Sequence, residues 1–360
     1  MRLVVLGLSI TSSWGNGHAT TYRALLRQLN KLGCEIIFLE RDSPWYAANR
    51  DASNFSFCRI ELYQNLSDLR QRFAGIIQSA DVVLVGSYVP EGASVGDWVI
   101  SCADGLTAFY DIDTPVTLAK LERGDYEYLT PELIPKYRIY FSFTGGPILN
   151  QLQREYGSPA ARPLYCSADC EFYHPEAIKK RWALGYLGTY SSDRQKGMDD
   201  LLIAPARRLP GEGFAVAGSS YPEGILWPSN VRRIDHVFPS QHGEFYCSQK
   251  FTLNLTRADM RRVGYSPSVR LFEAAACGTP IISDTWEGIE TFFTEDSEIL
   301  VVGSTSDVIE ILQDLPEQKR ELMAARARER VMREHSSKRR AEEFLASVAE
   351  AKAEHPEAPV

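Results

Sequence analysis

Short apolar runs alternate with helix-patterned segments between residues 3 and 166, and that alternation restricts the fold more than any other feature of the chain. The runs are Leu3–Leu8, Glu35–Glu40, Asp81–Gly86, Leu106–Tyr110, Tyr137–Phe143 and Leu164–Cys166. Between them, His18–Leu32, Ser67–Ser79, a segment near Val95–Cys102, Thr114–Arg123 and Pro147–Tyr156 read as helices. In the first of these, Ala24, Leu25, Leu29 and Leu32 share one side, and Gly33 ends the helix. A strand, a helix and a second strand in that order make a βαβ unit, whose strands must be parallel. Repeated units predict a doubly wound sheet, with ligands beyond the carboxyl ends of its strands.

The polar stretch Glu171–Arg181 breaks this pattern, and a second sheet starts with Trp182–Tyr190. Further strands are expected in Gly213–Ser219, in Val231–Phe238 (which holds His236) and in Phe251–Thr256. Ser266–Asp284 reads as a helix followed by a buried strand. Ser266 is a suitable N-cap and Pro267 a suitable first helical residue. Val269, Phe272, Ala275 and Ala276 fall on one face, Gly278 follows as the C′ residue, and Ile281–Ile282 begin the strand. Asp307–Val348 is mostly helical, with charges of alternating sign over Lys319–Arg333. Glu350–Val360, with Pro356 and Pro359, reads as a frayed tail. The expected division is a first domain over 1–170, a second over 171–335, and a C-terminal segment over 336–360.

Composition removes several function classes. A net charge of −8 opposes general nucleic-acid binding, which needs a basic face. No apolar run approaches the roughly 20 residues of a membrane-spanning helix. The start, Met-Arg-Leu-Val-Val-Leu-Gly, reads as a strand and not as a signal peptide. Seven cysteines without a pairing framework point to a reducing, cytoplasmic setting. Cys166 and Cys170 lack His or Cys neighbours at ligand spacing, which makes them buried thiols rather than a metal site.

Three groups of residues carry candidate chemistry. Arg270 lies near the start of the helix in Ser266–Asp284, where a helix N-terminus and a cation would together hold a phosphate. Glu273, one turn deeper, would accept from ribose hydroxyls, although the same two residues also fit a surface i,i+3 ion pair. His18 follows the Gly15–Asn16–Gly17 turn. A neutral imidazole beside a carboxylate can deprotonate a hydroxyl, while a helix-start His can also simply cap or pack. Asp111 and Asp113 follow a strand end, and Trp45–Tyr46 follow another. The G-N-G-H spacing does not make a dinucleotide fingerprint.

Arg270–Ser283 (R-x-F-E-A-x-A-C-G-T-P-I-I-S), Gly7–Ala19 (G-L-S-I-T-S-S-W-G-N-G-H-A) and Phe109–Thr117 (F-Y-D-I-D-T-P-V-T) resemble segments of GT-B glycosyltransferases. The resemblance is nearest to spore maturation protein CgeB and its relatives, and it runs from about Met1 to His335. It implies two doubly wound, Rossmann-like parallel-sheet domains facing a cleft. The first would bind the acceptor, the second a nucleotide-sugar, and the last helix would cross back through Phe344, Leu345 and Val348. It implies His18 as the base with Asp111 as its partner, and Trp14, Asn16, Trp45 and Tyr46 around the acceptor. The implied donor site is Arg194, Lys196, Arg257, Ser266, Ser268, Arg270 and Glu273. No bound metal and no cofactor are implied, although Asp111-x-Asp113 resembles a metal motif of other transferases. Retaining relatives carry a Glu pair whose second member matches Glu273. Tyr265 stands where the first would be, which favours inversion. The expected activity is sugar transfer from a UDP- or dTDP-type donor to a hydroxyl acceptor. The rival expectations are a nucleotide-sugar epimerase of the same shape and a non-catalytic nucleotide-sugar-binding protein.

Overall fold

The computed structural model describes residues 1–354 and divides into two compact units, one of Met1–Cys166 with the chain from Ser337 onward, the other of Ser167–Ser336. Each unit is a parallel sheet with helices.

In the first unit the order is β1 (Arg2–Gly7), α1 (Gly17–Lys31), β2 (Glu35–Arg41), α2 (Pro44–Ala48), β3 (Arg59–Tyr63), α3 (Leu66–Gln78) and β4 (Val82–Gly86). It continues with α4 (Gly92–Cys102), β5 (Leu106–Asp111), α5 (Thr114–Glu122), β6 (Ile139–Ser142), α6 (Pro147–Arg154) and β7 (Ala161–Pro163). The seven strands lie in the order β3-β2-β1-β4-β5-β6-β7. Val5 is in register with Phe38 on one side and with Leu84 on the other. The strand order reverses between β1 and β4, so the loops after these two strands flank the natural ligand crevice of the sheet. Every residue of β4 and β5 is buried, as befits a central parallel strand covered on both faces.

The second unit runs β8 (Trp182–Leu187), α7 (Gln195–Met198), α8 (Ala204–Arg208), β9 (Phe214–Ala217), β10 (Val231–Ile234), α9 (His242–Cys247) and β11 (Gln249–Asn254). There follow α10 (Ala258–Val263), α11 (Val269–Ala276), β12 (Ile281–Ser283), β13 (Leu300–Val301), α12 (Thr305–Asp314) and α13 (Glu317–Arg330). Its sheet order is β10-β9-β8-β11-β12-β13, with the reversal between β8 and β11. A π-helical turn, Asp199–Ile203, joins α7 to α8. Pro205 follows that turn and has no N–H to offer the preceding helix, which accounts for the local break in the α-helical ladder.

The final helix, α14 (Ser337–Glu354), belongs to the first unit. Phe344 stacks on Phe141 of β6 with ring centroids 5.1 Å apart, and Ala341, Val348 and Ala351 join Leu25 and Leu29 of α1 in one core cluster. Residues 350–354, expected to fray, continue α14; Pro356 and Pro359 lie outside the described residues.

Three local readings are corrected by the structure. The strand expected at Leu164–Cys166 forms three residues earlier, at Ala161–Pro163, where Ala161 pairs with Tyr140. Leu164 and Cys166 are buried in a loop, and an apolar run does not distinguish the two states. Edge strand β3 is not among the expected strands, and only its Tyr63 is fully buried. Trp45 and Tyr46 sit on the short helix α2 rather than in a loop, and none of its five residues is buried. Finally, α11 begins at Val269 with Ser268 as N-cap, so Ser266 and Pro267 precede the helix.

Candidate functional site

Two clusters of polar and charged side chains gather at strand ends, one in each unit.

In the first unit the loop after β1 is held from beneath. Glu40 on β2 is fully buried and accepts from Ser9 Oγ (2.9 Å), Ile10 N (2.7 Å), Thr11 N (3.1 Å) and Thr11 Oγ1 (2.6 Å). Four donors on one carboxylate satisfy its burial and fix the loop. Asp51 ties the next residues by bonding Ser13 and the Arg23 guanidinium (2.6 Å). Neither carboxylate stood out in the sequence, because nothing local marks a side chain that ties down a loop some thirty residues away. Asn16 caps α1, accepting from His18 N (3.1 Å) and donating to Ser9 O (3.2 Å) and Ser12 O (2.9 Å). Its polar atoms are all engaged, so it shapes the turn rather than offering a free amide to an acceptor. Trp14 is partly exposed on this loop, and Trp45 is 59% exposed on α2. Tyr46 is half-buried, and burial together with Glu40 pushes its phenol up.

His18 is only 8% exposed. Its Nε2 lies 3.9 Å from Asp113 Oδ2, its ring meets Tyr88 edge to face at 5.3 Å, and its buried Nδ1 has no hydrogen-bond partner. Tyr88 adopts φ = +63°, an outlier for an aromatic residue. The carboxylate beside His18 is therefore Asp113 and not Asp111. Asp111 is fully buried and accepts from Tyr140 Oη (2.5 Å) and Thr117 Oγ1 (2.7 Å). Burial is the main influence on Asp111 and pushes its carboxyl up to about 6. The reason for the exchange is local: β5 ends at Asp111, while Asp113 is the N-cap of α5, with a carboxylate free of capping bonds.

In the second unit, Arg270 of α11 is 6% exposed. It donates to Leu187 O, to Asn254 Oδ1 (3.0 Å) and to Ser268 Oγ (3.4 Å), and its guanidinium stands 4.6 Å from the centroid of the Tyr186 ring. The i,i+3 pair with Glu273 does not form. Glu273 is buried and accepts instead from Tyr246 Oη (2.9 Å), with His242 Nδ1 3.9 Å away. Arg194 follows β8 and donates to Thr189 O (2.6 Å), yet its buried Nε has no partner. Burial, with repulsion from Arg270, pushes Arg194 below its ordinary value. Arg257, just past β11, likewise keeps a buried Nε without a partner. None of these three arginines forms an ion pair within 4.0 Å among the described residues. Tyr186, Tyr190, Tyr221 and Arg194 line a shallow indentation here. Gly188 is required at this point, because a Cβ there would stand 2.5 Å from Arg270 Nη2 and 2.8 Å from Tyr186 Oη.

The remaining expected donor residues are less central. Lys196 is paired with Asp200 (2.6 Å) on an 86% exposed side chain, an i,i+4 helix pair. Ser266 is buried with its Oγ 3.2 Å from Met260 Sδ. Ser268 stays with Arg270. Tyr265, where retaining relatives would carry a Glu, has φ = +48° and packs over Gly288. Among the described residues no cluster of three or more His, Cys, Asp or Glu side chains could hold a metal, and no helix is long and apolar enough to cross a membrane.

A cluster of guanidiniums at strand ends, with no ion pair within 4.0 Å among the described residues, is chemistry for an anion. Residues 194–346 match the family model described as glycosyl transferase-like. No curated relative matches the sequence. Among solved structures, a sucrose-phosphate synthase from Thermosynechococcus elongatus is similar with TM-score 0.72 and 14% identity, covering 98% of this chain and 99% of that one. Anabaena HepE, solved with UDP and glucose, is similar with TM-score 0.68 and 11% identity, over 97% and 100% of the two chains. An alpha-glucosyltransferase solved with UDP-glucose and DNA gives TM-score 0.71 and 14% identity, over 97% and 99%. The chain thus carries the fold of GT-B glycosyltransferases, two Rossmann-like parallel-sheet units, and matches the glycosyl transferase-like family over residues 194–346.

Proposed function

We propose that this protein transfers a sugar from a UDP- or dTDP-type nucleotide-sugar to a hydroxyl acceptor without a resident metal, and that its setting is cytoplasmic. The observation that carries the reading is the set Arg194, Arg257 and Arg270, one buried and two half-buried guanidiniums that form no ion pair within 4.0 Å among the described residues, with Asp193 the carboxylate that feels the first two and Asp284 one that feels the third. A buried charge without a close counter-charge is costly unless a ligand supplies one. A nucleoside diphosphate does so, and as the leaving group it gains charge when the glycosidic bond breaks. Fixed cations at that point stabilise the transition state more than the ground state. Asn254, Ser268 and the Leu187 carbonyl hold the Arg270 head in place before any ligand arrives. Glu273, gripped by Tyr246, would accept from the ribose only by exchanging that bond; otherwise it positions α11 against α9.

In this reading the first unit is the acceptor domain. His18 takes the proton of the acceptor hydroxyl and Asp113 steadies the imidazolium that forms. Asp113, 3.9 Å from Nε2, orients the ring from the more open side of the imidazole. Tyr265 in place of a second carboxylate supports inversion at the anomeric carbon, and the resemblance to CgeB relatives belongs to the same proposal. A nucleic-acid acceptor, present in one solved neighbour, is disfavoured here by the net charge of −8.

The test is a thermal-shift panel of nucleoside diphosphates and nucleotide-sugars on wild type and Arg270→Ala. A ligand at 100 times its Kd stabilises the native state by about 2.7 kcal/mol. A shift with uridine or thymidine diphosphates, lost in the variant, supports the donor site. No shift with any nucleotide at millimolar concentration overturns it. If a nucleotide-sugar binds but only its epimer is formed, the epimerase reading replaces transfer.

A further inference from the structure

Cys247 and Cys277 are two buried thiols at neighbouring helix ends, Cys247 closing α9 and Cys277 capping α11. Cys247 Sγ lies 3.6 Å from Cys277 O and 3.7 Å from His174 O, and it accepts from Glu176 N at 3.3 Å. Lys180 Nζ donates to the Cys247 carbonyl at 2.9 Å. The residues covering this sulfur, His174–Glu176, belong to a stretch without helix or strand that is almost wholly exposed from His174 to Arg181. Such a strap opens locally at little cost, which gives a small reagent access to a thiol buried in the closed state.

Four of the other cysteines set the contrast. Burial pushes Cys34 and Cys102 up, Cys170 up to about 11 and Cys58 up to about 12, so these thiols stay protonated and unreactive. Cys247 moves the other way, to about 7, held by the hydrogen bond from Cys277, the Glu176 amide and the nearby Lys180 charge. Cys277, its donor, is pushed up. Cys247 Sγ, donating to the Cys277 carbonyl and accepting from the Glu176 amide, sets a thiol of lowered pKa beside a second cysteine, the arrangement of a nucleophile with its resolving partner.

We propose that Cys247 and Cys277 form an oxidisable dithiol, closed to a disulfide by a hydroperoxide, that couples redox state to the nucleotide site. The Cys247 thiolate attacks one peroxide oxygen, the O–O bond breaks, and hydroxide (or alkoxide) leaves, giving a sulfenic acid. The Cys277 sulfur then attacks the Cys247 sulfur, the S–O bond breaks, and water leaves with the Cys277 proton. Two electrons pass from the two sulfurs to the peroxide. The new bond joins the ends of α9 and α11. Tyr246, next to Cys247, holds Glu273, and its carbonyl accepts from Thr279 Oγ1 (2.8 Å), so the cross-link pulls on contacts that set α11 and with it Arg270. This last coupling rests on the function proposed above, whereas the cross-link does not.

The experiment treats reduced full-length protein with hydrogen peroxide, blocks the remaining thiols with an alkylating reagent and maps peptides without reduction. The expected result is one cross-linked pair, Cys247 with Cys277, while the other five cysteines alkylate as before. Cys277→Ala is expected to stop at a Cys247 sulfenic acid that a 1,3-dione reagent traps, and Cys247→Ala is expected to trap none. Oxidation that falls on Cys102 or another cysteine, with Cys247 and Cys277 still alkylated, overturns the proposal. UDP affinity is then compared before oxidation, after it, and after dithiothreitol. A reversible loss of about fivefold or more in wild type, absent in Cys277→Ala, is expected. A cross-link that leaves affinity unchanged overturns the coupling. Reduced protein that binds no nucleoside diphosphate counts against the donor site alone, since the cross-link is read without nucleotide.

Discussion

Arg270→Met isolates the charge on which the donor site depends. Methionine keeps an apolar side chain over the Tyr186 ring and removes the guanidinium. Two effects on folding oppose each other. The variant loses the bonds to Leu187 O and Asn254 Oδ1, each contributing about 1 kcal/mol or somewhat more because the donor is charged. It also removes a charge that is 6% exposed and forms no close ion pair, with Asp284 offsetting it only from a distance, and whose desolvation costs several kcal/mol. The expected net change is within about 2 kcal/mol, and for a protein of this size each kcal/mol moves Tm by roughly 2–4 °C. Binding has no such compensation. One hydrogen bond between charged groups contributes about 1.5–3 kcal/mol, so UDP affinity should fall by roughly 10- to 150-fold. Isothermal titration of UDP beside a thermal melt measures both quantities. A folded variant with wild-type affinity for UDP would refute the reasoning, because the guanidinium would then have no ligand to serve.

Other perturbations follow from the same geometry. Gly188→Ala places a methyl 2.5 Å from Arg270 Nη2 and should weaken UDP binding about tenfold by displacing that head, while Gly33→Ala, also at a loop and distant from any neighbour, leaves affinity unchanged in the same titration. His18→Ala should lower kcat by roughly 10²–10⁴ with UDP affinity retained, and Asp113→Asn should lower it by a smaller factor; equal loss in Asp111→Asn and none in Asp113→Asn would return the partner role to Asp111. Asp111 also makes stability depend on pH. Its folded value, about 6, is above the unfolded 3.8, so its contribution is fully present below about pH 4 and is lost as pH rises through 6, by about 3 kcal/mol in all. Urea unfolding of wild type and Asp111→Asn between pH 4 and 8 reads this, and the two slopes should differ over that window.

Much of the architecture was legible because parallel sheets bury whole strands. Val82–Gly86 is a continuous apolar run and Leu106–Asp111 a mostly apolar one, both buried throughout. The donor helix was legible for another reason: Gly278 in the left-handed region (φ = 67°) and Pro280 end it where the pattern requires. Its start was not. Both Ser266 and Ser268 are acceptable caps by residue type; the helix starts after Ser268, whose Oγ makes no capping bond and accepts from Arg270 instead. What holds the loop after β1 was hidden as well, since Glu40 appears in sequence as the polar end of a strand and only the fold brings four donors to it.

The exchange of Asp111 for Asp113 shows how finely a site depends on where a strand stops. Had β5 run two residues further, Asp111 and Asp113 would have faced the same side of the sheet, and either would have served His18. Instead, Ser87 Oγ accepts from Ile112 N (3.1 Å), and the chain turns there into α5. The turn leaves Asp111 pointing into the core against Tyr140 and Thr117 and swings Asp113 towards His18. The buried carboxyl then serves to anchor the floor of the site, and the partly exposed one stands beside His18. Apolar periodicity locates β5 but says nothing of its last residue, where a serine just past the neighbouring strand bonds the turning chain. The double variant Ser87→Ala, Asp113→Asn should therefore cost less activity than the sum of its parts, because both changes act on the same turn.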